Sequence, residues 1–281
     1  MFERFSRSWA LVKASCTVLA ANKRLMVFPL LSGLCTLIVT ASFLWPAAAS
    51  GMLAHFDRGH MNPATAMLLF AFYLVQYFVI IFFNTALIGA VMVHLRGGNA
   101  TLGDGLRVAT SKLPTILGYA VITATVGMVL RAIEGRVGFL GSLIVSLIGS
   151  AWSLATFLVV PVLVNQDIGP FDAVKHSATL LKRTWGENLV GNAGIGIVFG
   201  LLMMLTILLS VVLIAAAGST HSSALVVTVI CLAVLAVLLL VVAQSALHGI
   251  YSAAVYRYAE EGEAGIGFDK ALIADAFRLK A

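Results

Sequence analysis

Residues 188–256 read NLVGNAGIGIVFGLLMMLTILLSVVLIAAAGSTHSSALVVTVICLAVLAVLLLVVAQSALHGIYSAAVY, sixty-nine positions between Glu187 and Arg257 without one Asp, Glu, Lys or Arg. A soluble domain is about one-quarter charged, so a gap of this length excludes an ordinary water-facing surface. A bilayer core ~30 Å thick is crossed by about 20 apolar residues in a helix. The stretch therefore predicts two crossings, divided at Gly218-Ser219-Thr220-His221-Ser222-Ser223, a small, polar break suited to a turn outside the membrane. The runs are continuously apolar rather than alternating, which selects helices over a barrel.

The remaining sequence repeats the pattern. Of its 281 residues 60% are hydrophobic and 11% charged. Charge-poor runs predict four earlier spans at 27–50, 66–94, 114–133 and 138–164, and place the last two at 188–217 and 223–256. Phe28-Pro29 opens the first, Pro114 opens the third, and the fourth ends near Pro161. The expected fold is all-α: a polytopic membrane helix bundle of six transmembrane helices, one membrane domain over 1–281. The basic N-terminal segment and Ala47-Ala48-Ala49 imitate a signal peptide. The apolar run is longer than the roughly 7–15 residues of a signal core, so we expect the segment to be retained.

Lys and Arg give the orientation. Fifteen of the eighteen fall before residue 27, in the 95–113 and 165–187 loops, or after the last span; Arg58, Arg131 and Arg136 fall on the other side. The positive-inside rule then places both termini in the cytoplasm. The net charge of +6 is thus a topology signal, with anionic lipid as its natural partner. No cluster of base-reading or stacking residues accompanies it, so nucleic acid is not expected as a partner. Cys16, Cys35 and Cys231 are far apart and form no CxxC pair.

The loops on the basic side are amphipathic. Apolar residues recur at helical spacing at Phe2, Phe5, Trp9, Val12, Cys16 and Leu19; at Leu102, Leu106, Ala109 and Leu113; and at Phe171, Val174, Ala178 and Leu181. Asp104 and Asp172 suit the first turns of the second and third of these helices, and Pro170 suits a first helical position. A fourth such helix is predicted at 267–280. We expect these helices to lie in the headgroup layer with apolar faces down, and Lys112, Lys175, Lys182 and Arg183 to touch the membrane surface. The alternative is that they pack together as a partner surface. Interfacial helix plus hairpin recurs as a possible three-unit plan, 1–94, 101–164 and 170–256, in which Asp104-Gly105-Leu106-Arg107 answers to Asp172-Ala173-Val174-Lys175.

Inside the spans polar chemistry is sparse. Gly138, Ser142, Ser146 and Ser150 recur every fourth residue, with Gly141, Gly149 and Ser153 beside them. Small residues on one face let helices approach closely, so this is a helix-packing face or the lining of a cavity. Gly196 and Gly200 read as a packing pair; Gly194-Ile195-Gly196 has no strand before it and is not a dinucleotide loop. Gln76, Asn84, Gln244 and Ser245 are expected to bond across helices, and His248 to be hydrogen-bonded near the end of the sixth span. His55, Asp57 and His60 are ligand-type residues close in sequence but match no recognised metal spacing. Arg131 and Glu134 are spaced to pair, and Asn165-Gln166-Asp167 reads as a cap.

No carboxylate, Lys or Arg lies near the middle of a span, which disfavours ion-coupled transport. No phosphate loop, nucleophile triad or cofactor motif is present, so neither a catalytic centre nor a cofactor is expected.

Nearly the whole chain resembles a family of bacterial multi-pass membrane proteins known as a domain of unknown function. The residues that carry the likeness are Phe5-Ser6-Arg7-Ser8-Trp9, Phe28-Pro29-Leu30-Leu31-Ser32, Tyr77-Phe78 with Phe82-Phe83-Asn84, Arg96-Gly97-Gly98 with Asp104-Gly105-Leu106, Ala151-Trp152-Ser153-Leu154, and Thr184-Trp185-Gly186-Glu187 with Gly191-Asn192. The resemblance implies a six-span membrane fold and no particular activity. The alternation of interfacial helix and hairpin is also similar to the membrane domain attached to some glycerophosphodiester phosphodiesterases, whose catalytic barrel this sequence lacks. A non-enzymatic helper or scaffold that binds lipid, a protein partner or a second copy of itself is the expected role. A transporter or channel for a small or lipidic solute, using the fourth-span face, is the alternative.

Overall fold

The computed structural model describes residues 13–49, 63–183, 188–219 and 222–263, together with 265 and 268. All regular structure among them is helical. Helix α1 (13–21) leads through a 3-10 turn, Lys23–Met26, into α2 (Val27–Ala49). There follow α3 (Pro63–Leu95), α4 (Leu102–Ser111), α5 (Leu113–Glu134), α6 (Phe139–Ala155), α7 (Val159–Asn165), α8 (Pro170–Arg183), α9 (Asn188–Ser219) and α10 (Ser223–Glu261). Among the described residues six stretches are long and apolar enough to cross a membrane: Lys23–Pro46, Pro63–Leu95, Leu113–Glu134, Phe139–Asn165, Val198–Ser219 and Ser223–Glu261. The protein is a membrane helix bundle.

The chain packs as two compact units, one of Leu30–Arg183 and one of Met1–Pro29 with Thr184–Ala281. In the first unit α3 is the central post, with α4, α5 and α7 against it and α8 against α5, α6 and α7. Burial along α3 is uneven. Thr85 to Met92 and Leu95 are buried, while Met67, Val75 and Ile80 face outward. Helix α5 shows the same gradient, buried at Ile116, Tyr119, Ala120 and Ala124 and exposed at Val129 and Ile133. The packed end of this unit bears Arg96, Lys112 and Lys175; we call it the basic end.

In the second unit α9 packs on α10, and the Lys23–Met26 turn packs on α10. At 39 residues and 1.5 Å per residue, α10 is ~58 Å long, well beyond a bilayer core. Leu225 to Val241 includes many exposed aliphatic side chains, whereas Ala246, Leu247 and Gly249 to Tyr256 are buried. Gly262, at φ 69°, ends the helix in the left-handed conformation that glycine adopts without strain.

On the amphipathic helices small residues are buried at positions where Leu106 and Phe171 are not, although α8 also buries Leu180 and Leu181. In α4 the buried positions are Gly105 and Ala109, whereas Leu106 is exposed. Val108 enters the groove above Gly89 of α3, where an added Cβ would stand 2.9 Å from the Val108 Cβ. In α8 the buried positions are Ala173, Ser177, Leu180 and Leu181, whereas Phe171 is 68% exposed. In α1 Ser15 and Val18 are buried and Cys16 is exposed. The inner faces of α4 and α8 lie on the unit's own spans, and the apolar stripes expected on these helices are divided: Ala109 and Leu181 are buried, Leu106 and Phe171 exposed. Close approach of two backbones favours Gly, Ala and Ser over Leu and Phe. The helix predicted at 267–280 lies outside the described residues apart from Phe268, which is buried.

Candidate functional site: the basic end and the broken fourth span

The fourth span, expected to be continuous over 138–164, is broken. Helix α6 stops at Ala155 and α7 starts at Val159. Pro161 supplies the reason: it has no N–H to donate, and its ring crowds the carbonyl four residues back, so it is tolerated in a first turn and not in mid-helix. Through the break the backbone tightens, with Phe157 N donating to Leu154 O at 3.1 Å and Val159 N to Thr156 O at 3.1 Å. That leaves the Ala155 carbonyl and the Leu158 amide to be satisfied from elsewhere. One side chain serves both. The Ser177 hydroxyl on α8 donates to Ala155 O at 2.7 Å and accepts from Leu158 N at 3.1 Å. Ser177 is fully buried. An orphaned buried backbone group costs about 1–3 kcal/mol, so this hydroxyl is a substantial tie between α8 and the fourth span.

A polar junction continues from the break across the basic end. Asn165 caps α7, its Nδ2 donating to Pro161 O at 2.8 Å, while its Oδ1 accepts from Arg96 at 3.2 Å. Lys112, at the corner between α4 and α5, donates to Gln166 O at 3.0 Å and to Asp167 Oδ1 at 2.5 Å. The Lys112 side chain is 16% exposed and that of Asp167 98%. The hydrogen bond and charge of Lys112 hold the Asp167 carboxyl below the usual carboxylate range. Gln166 Nε2 lies 3.1 Å from His176 Nε2. Thr101 and Asp104 form a reciprocal capping box at the start of α4, and the Thr101 hydroxyl and amide hold the Asp104 carboxyl low as well.

The residues singled out from sequence separate into three groups. Lys112 is drawn into the junction; of Asn165-Gln166-Asp167, read as a cap beside α8, Asn165 caps α7 instead, and Gln166 and Asp167 bond to Lys112. Lys175 and Lys182 remain on the outer face of α8, Lys175 being 80% exposed and 3.9 Å from Asp172. The Arg183 side chain lies outside the described residues, as do His55, Asp57 and His60. The fourth-span face is not brought against a helix over most of its length. Gly138, Ser146, Ser150 and Ser153 are exposed, Gly141 and Ser142 are half-buried, and half-buried Gly149 meets only Leu130, at the 3.8 Å of ordinary contact. Gly196 and Gly200 likewise have nothing within 4 Å, so no described part of the chain packs on them. Among the described residues no group of three or more His, Cys, Asp or Glu could hold a metal ion.

Away from the basic end the cross-helix ties are fewer. Gln76 bonds from α3 to α2 as its polarity predicted, Nε2 donating to Thr40 Oγ1 at 2.6 Å and Thr36 O at 3.3 Å. Its Oε1 is buried without a partner. Arg131 lies 5.3 Å above the Tyr73 ring, a cation–π contact.

Sequence reasoning passed over Ser177 and Thr101. Thr101-x-x-Asp104 just before an apolar stripe is a readable capping signature. Ala173-x-x-x-Ser177 is a small-residue pair of the type recognised in the spans, and the same rule applies to a helix that docks on them.

A bundle of apolar helices whose amphipathic connectors fold back onto its own spans defines the class: a membrane protein with an internally tied basic end. The family model that matches covers residues 63–268, and the chain belongs to that family, DUF6159, a family of unknown function. No curated protein and no solved structure matches the chain.

Proposed function

We propose that the protein is a non-enzymatic helper or scaffold of the bacterial inner membrane, its basic end in the cytoplasm and binding anionic lipid headgroups. The observation that carries this reading is the outer face of α8. Its inner face is spent on the fourth span, yet Phe171 stands 68% exposed on the same helix as the exposed Lys175 and Lys182. An aromatic ring that enters the acyl boundary beside cations that meet phosphate is the chemistry of a membrane-surface anchor. The excess of Lys and Arg on the same side of the spans supports the orientation. The common frame of α4 and α8, with Asp104 and Asp172 in the first turns and small pairs Gly105/Ala109 and Ala173/Ser177 buried, supports a repeated helix-plus-hairpin unit.

The test is lipid retention by purified protein, read by native mass spectrometry and by partition between nanodiscs of phosphatidylglycerol and phosphatidylcholine. At about 1 kcal/mol for each cation near an anionic surface, Lys175→Ala with Lys182→Ala should weaken anionic-lipid preference roughly 30-fold. Equal retention by the double variant and the parent would overturn the reading. A transporter or channel is the second reading. What favours it is the exposed Ser146, Ser150 and Ser153 face, which a second copy of the chain could close into a lining. Saturable solute flux in proteoliposomes, abolished by Ser146→Leu, would establish it over the scaffold.

A further inference from the structure

We propose that the break in the fourth span is a hinge, and that Lys112 is its latch. Helices α7 and α8 form a short hairpin that turns at 166–169; Arg96 holds Asn165 at the end of α7, and two further ties bear on the break and on the turn. Ser177 closes the break from the α8 arm. Lys112 grips the turn itself, through both the Gln166 carbonyl and the Asp167 carboxylate. The two ties differ in kind. Ser177 is sealed from solvent, whereas the Asp167 half of the second tie is almost fully exposed and open to competing cations. The exposed tie is therefore the one that yields first. Once Lys112 releases the turn, α8 can withdraw the Ser177 hydroxyl and leave the Ala155 carbonyl and Leu158 amide open within the span. Backbone groups freed inside a span are where discontinuous membrane helices bend and take up ligands. The tight i−3 bonds at Phe157 and Val159 mark the pivot.

This inference rests on the geometry of the break and not on lipid binding at the outer face of α8. It is tested by hydrogen–deuterium exchange of the 156–160 amides in the full-length protein in nanodiscs. The intact latch predicts slow exchange, and Lys112→Met should raise it at least roughly ten-fold. Ser177→Ala should raise it too, and Lys112→Met added to Ser177→Ala should give no further rise, because both act on the same closing event. The charge-swapped pair, Lys112→Asp with Asp167→Lys, should recover part of the protection. That recovery separates loss of the latch from general damage at Lys112. Unchanged exchange in Lys112→Met, or additive rises in the double variant, would overturn the proposal. So would failure of the charge swap to restore any protection in a folded protein.

Discussion

The two ends of the spans are built differently. At the basic end side chains are buried, helices touch through small residues, and polar groups are cross-bonded: Ser177 to the break, Lys112 to the 166–167 turn, Arg96 to Asn165. Toward the other end the same helices carry large apolar side chains outward, among them Phe139, Leu140, Ile144 and Ile148 on α6 and Met67, Val75 and Ile80 on α3. The contrast follows from the solvent. Lipid is as apolar as leucine, so burying leucine in a membrane gains little, and association depends on close packing and hydrogen bonds. Polar ties, and the small residues that are packed against a neighbour, are concentrated at the basic end, and packing is concentrated with them.

Mutations should therefore matter by end and not by hydrophobicity. The largest effect is expected from Ser177→Ala, which orphans two buried backbone groups at about 1–3 kcal/mol each. Its thermal midpoint in detergent should fall well below that of Ser146→Ala, a matched change on the exposed face, where a shift within about 0.5 kcal/mol is expected. Next comes Gly89→Ala. The new Cβ meets Val108 at 2.9 Å, so α4 must lift or shift, at about 1–3 kcal/mol. Gly200→Ala is the opposite case. It meets nothing within 4 Å and should be neutral or stabilising by up to ~1 kcal/mol through helix propensity. If both glycine variants lose stability alike, the distinction between packed and open helix faces fails. Gln76→Leu should cost only ~0.6 kcal/mol through its lost cross-helix bonds, offset in part because its unpartnered Oε1 also disappears.

The exposed carboxylates sharpen the same contrast through pH. Asp167, held by Lys112, and Asp104, held by Thr101, both titrate below their ordinary values in the folded protein. Their contribution is present above the unfolded-state pKa and is lost as pH falls through the lower folded value. Thermal stability should thus drop on acidification, and Asp167→Asn should flatten part of that drop. An unaltered acid profile in Asp167→Asn would show that the Lys112 tie adds nothing to folding.

The spans were legible because twenty apolar residues in a row have one physical use. Pro114 stands in the first turn of α5 as read, and the uncharged stretch 188–256 resolves into α9 and most of α10. The break at 155–159 was not legible. Pro161 was read as an ending, and nothing local announces that a hydroxyl sixteen residues later makes a break affordable. The inner faces of the docked helices were not legible for a related reason. Hydropathy ranks Phe171 and Leu106 above Ala173 and Gly105, yet the smaller pair is buried and the larger pair exposed. The junction residues were visible as polar caps; which of them meet is tertiary information.

The central claim, that α8 docks by its small-residue face on its own spans, is tested most directly by a cysteine scan of 172–182 after Cys16, Cys35 and Cys231 are changed to Ala. Labelling in nanodiscs with a membrane-impermeant maleimide should leave positions 173, 177 and 180 protected and positions 175, 179 and 182 reactive. Labelling at 173 and 177 as fast as at 175, with protection instead at 174 and 178, would mean that α8 lies flat on the lipid, and would contradict the account.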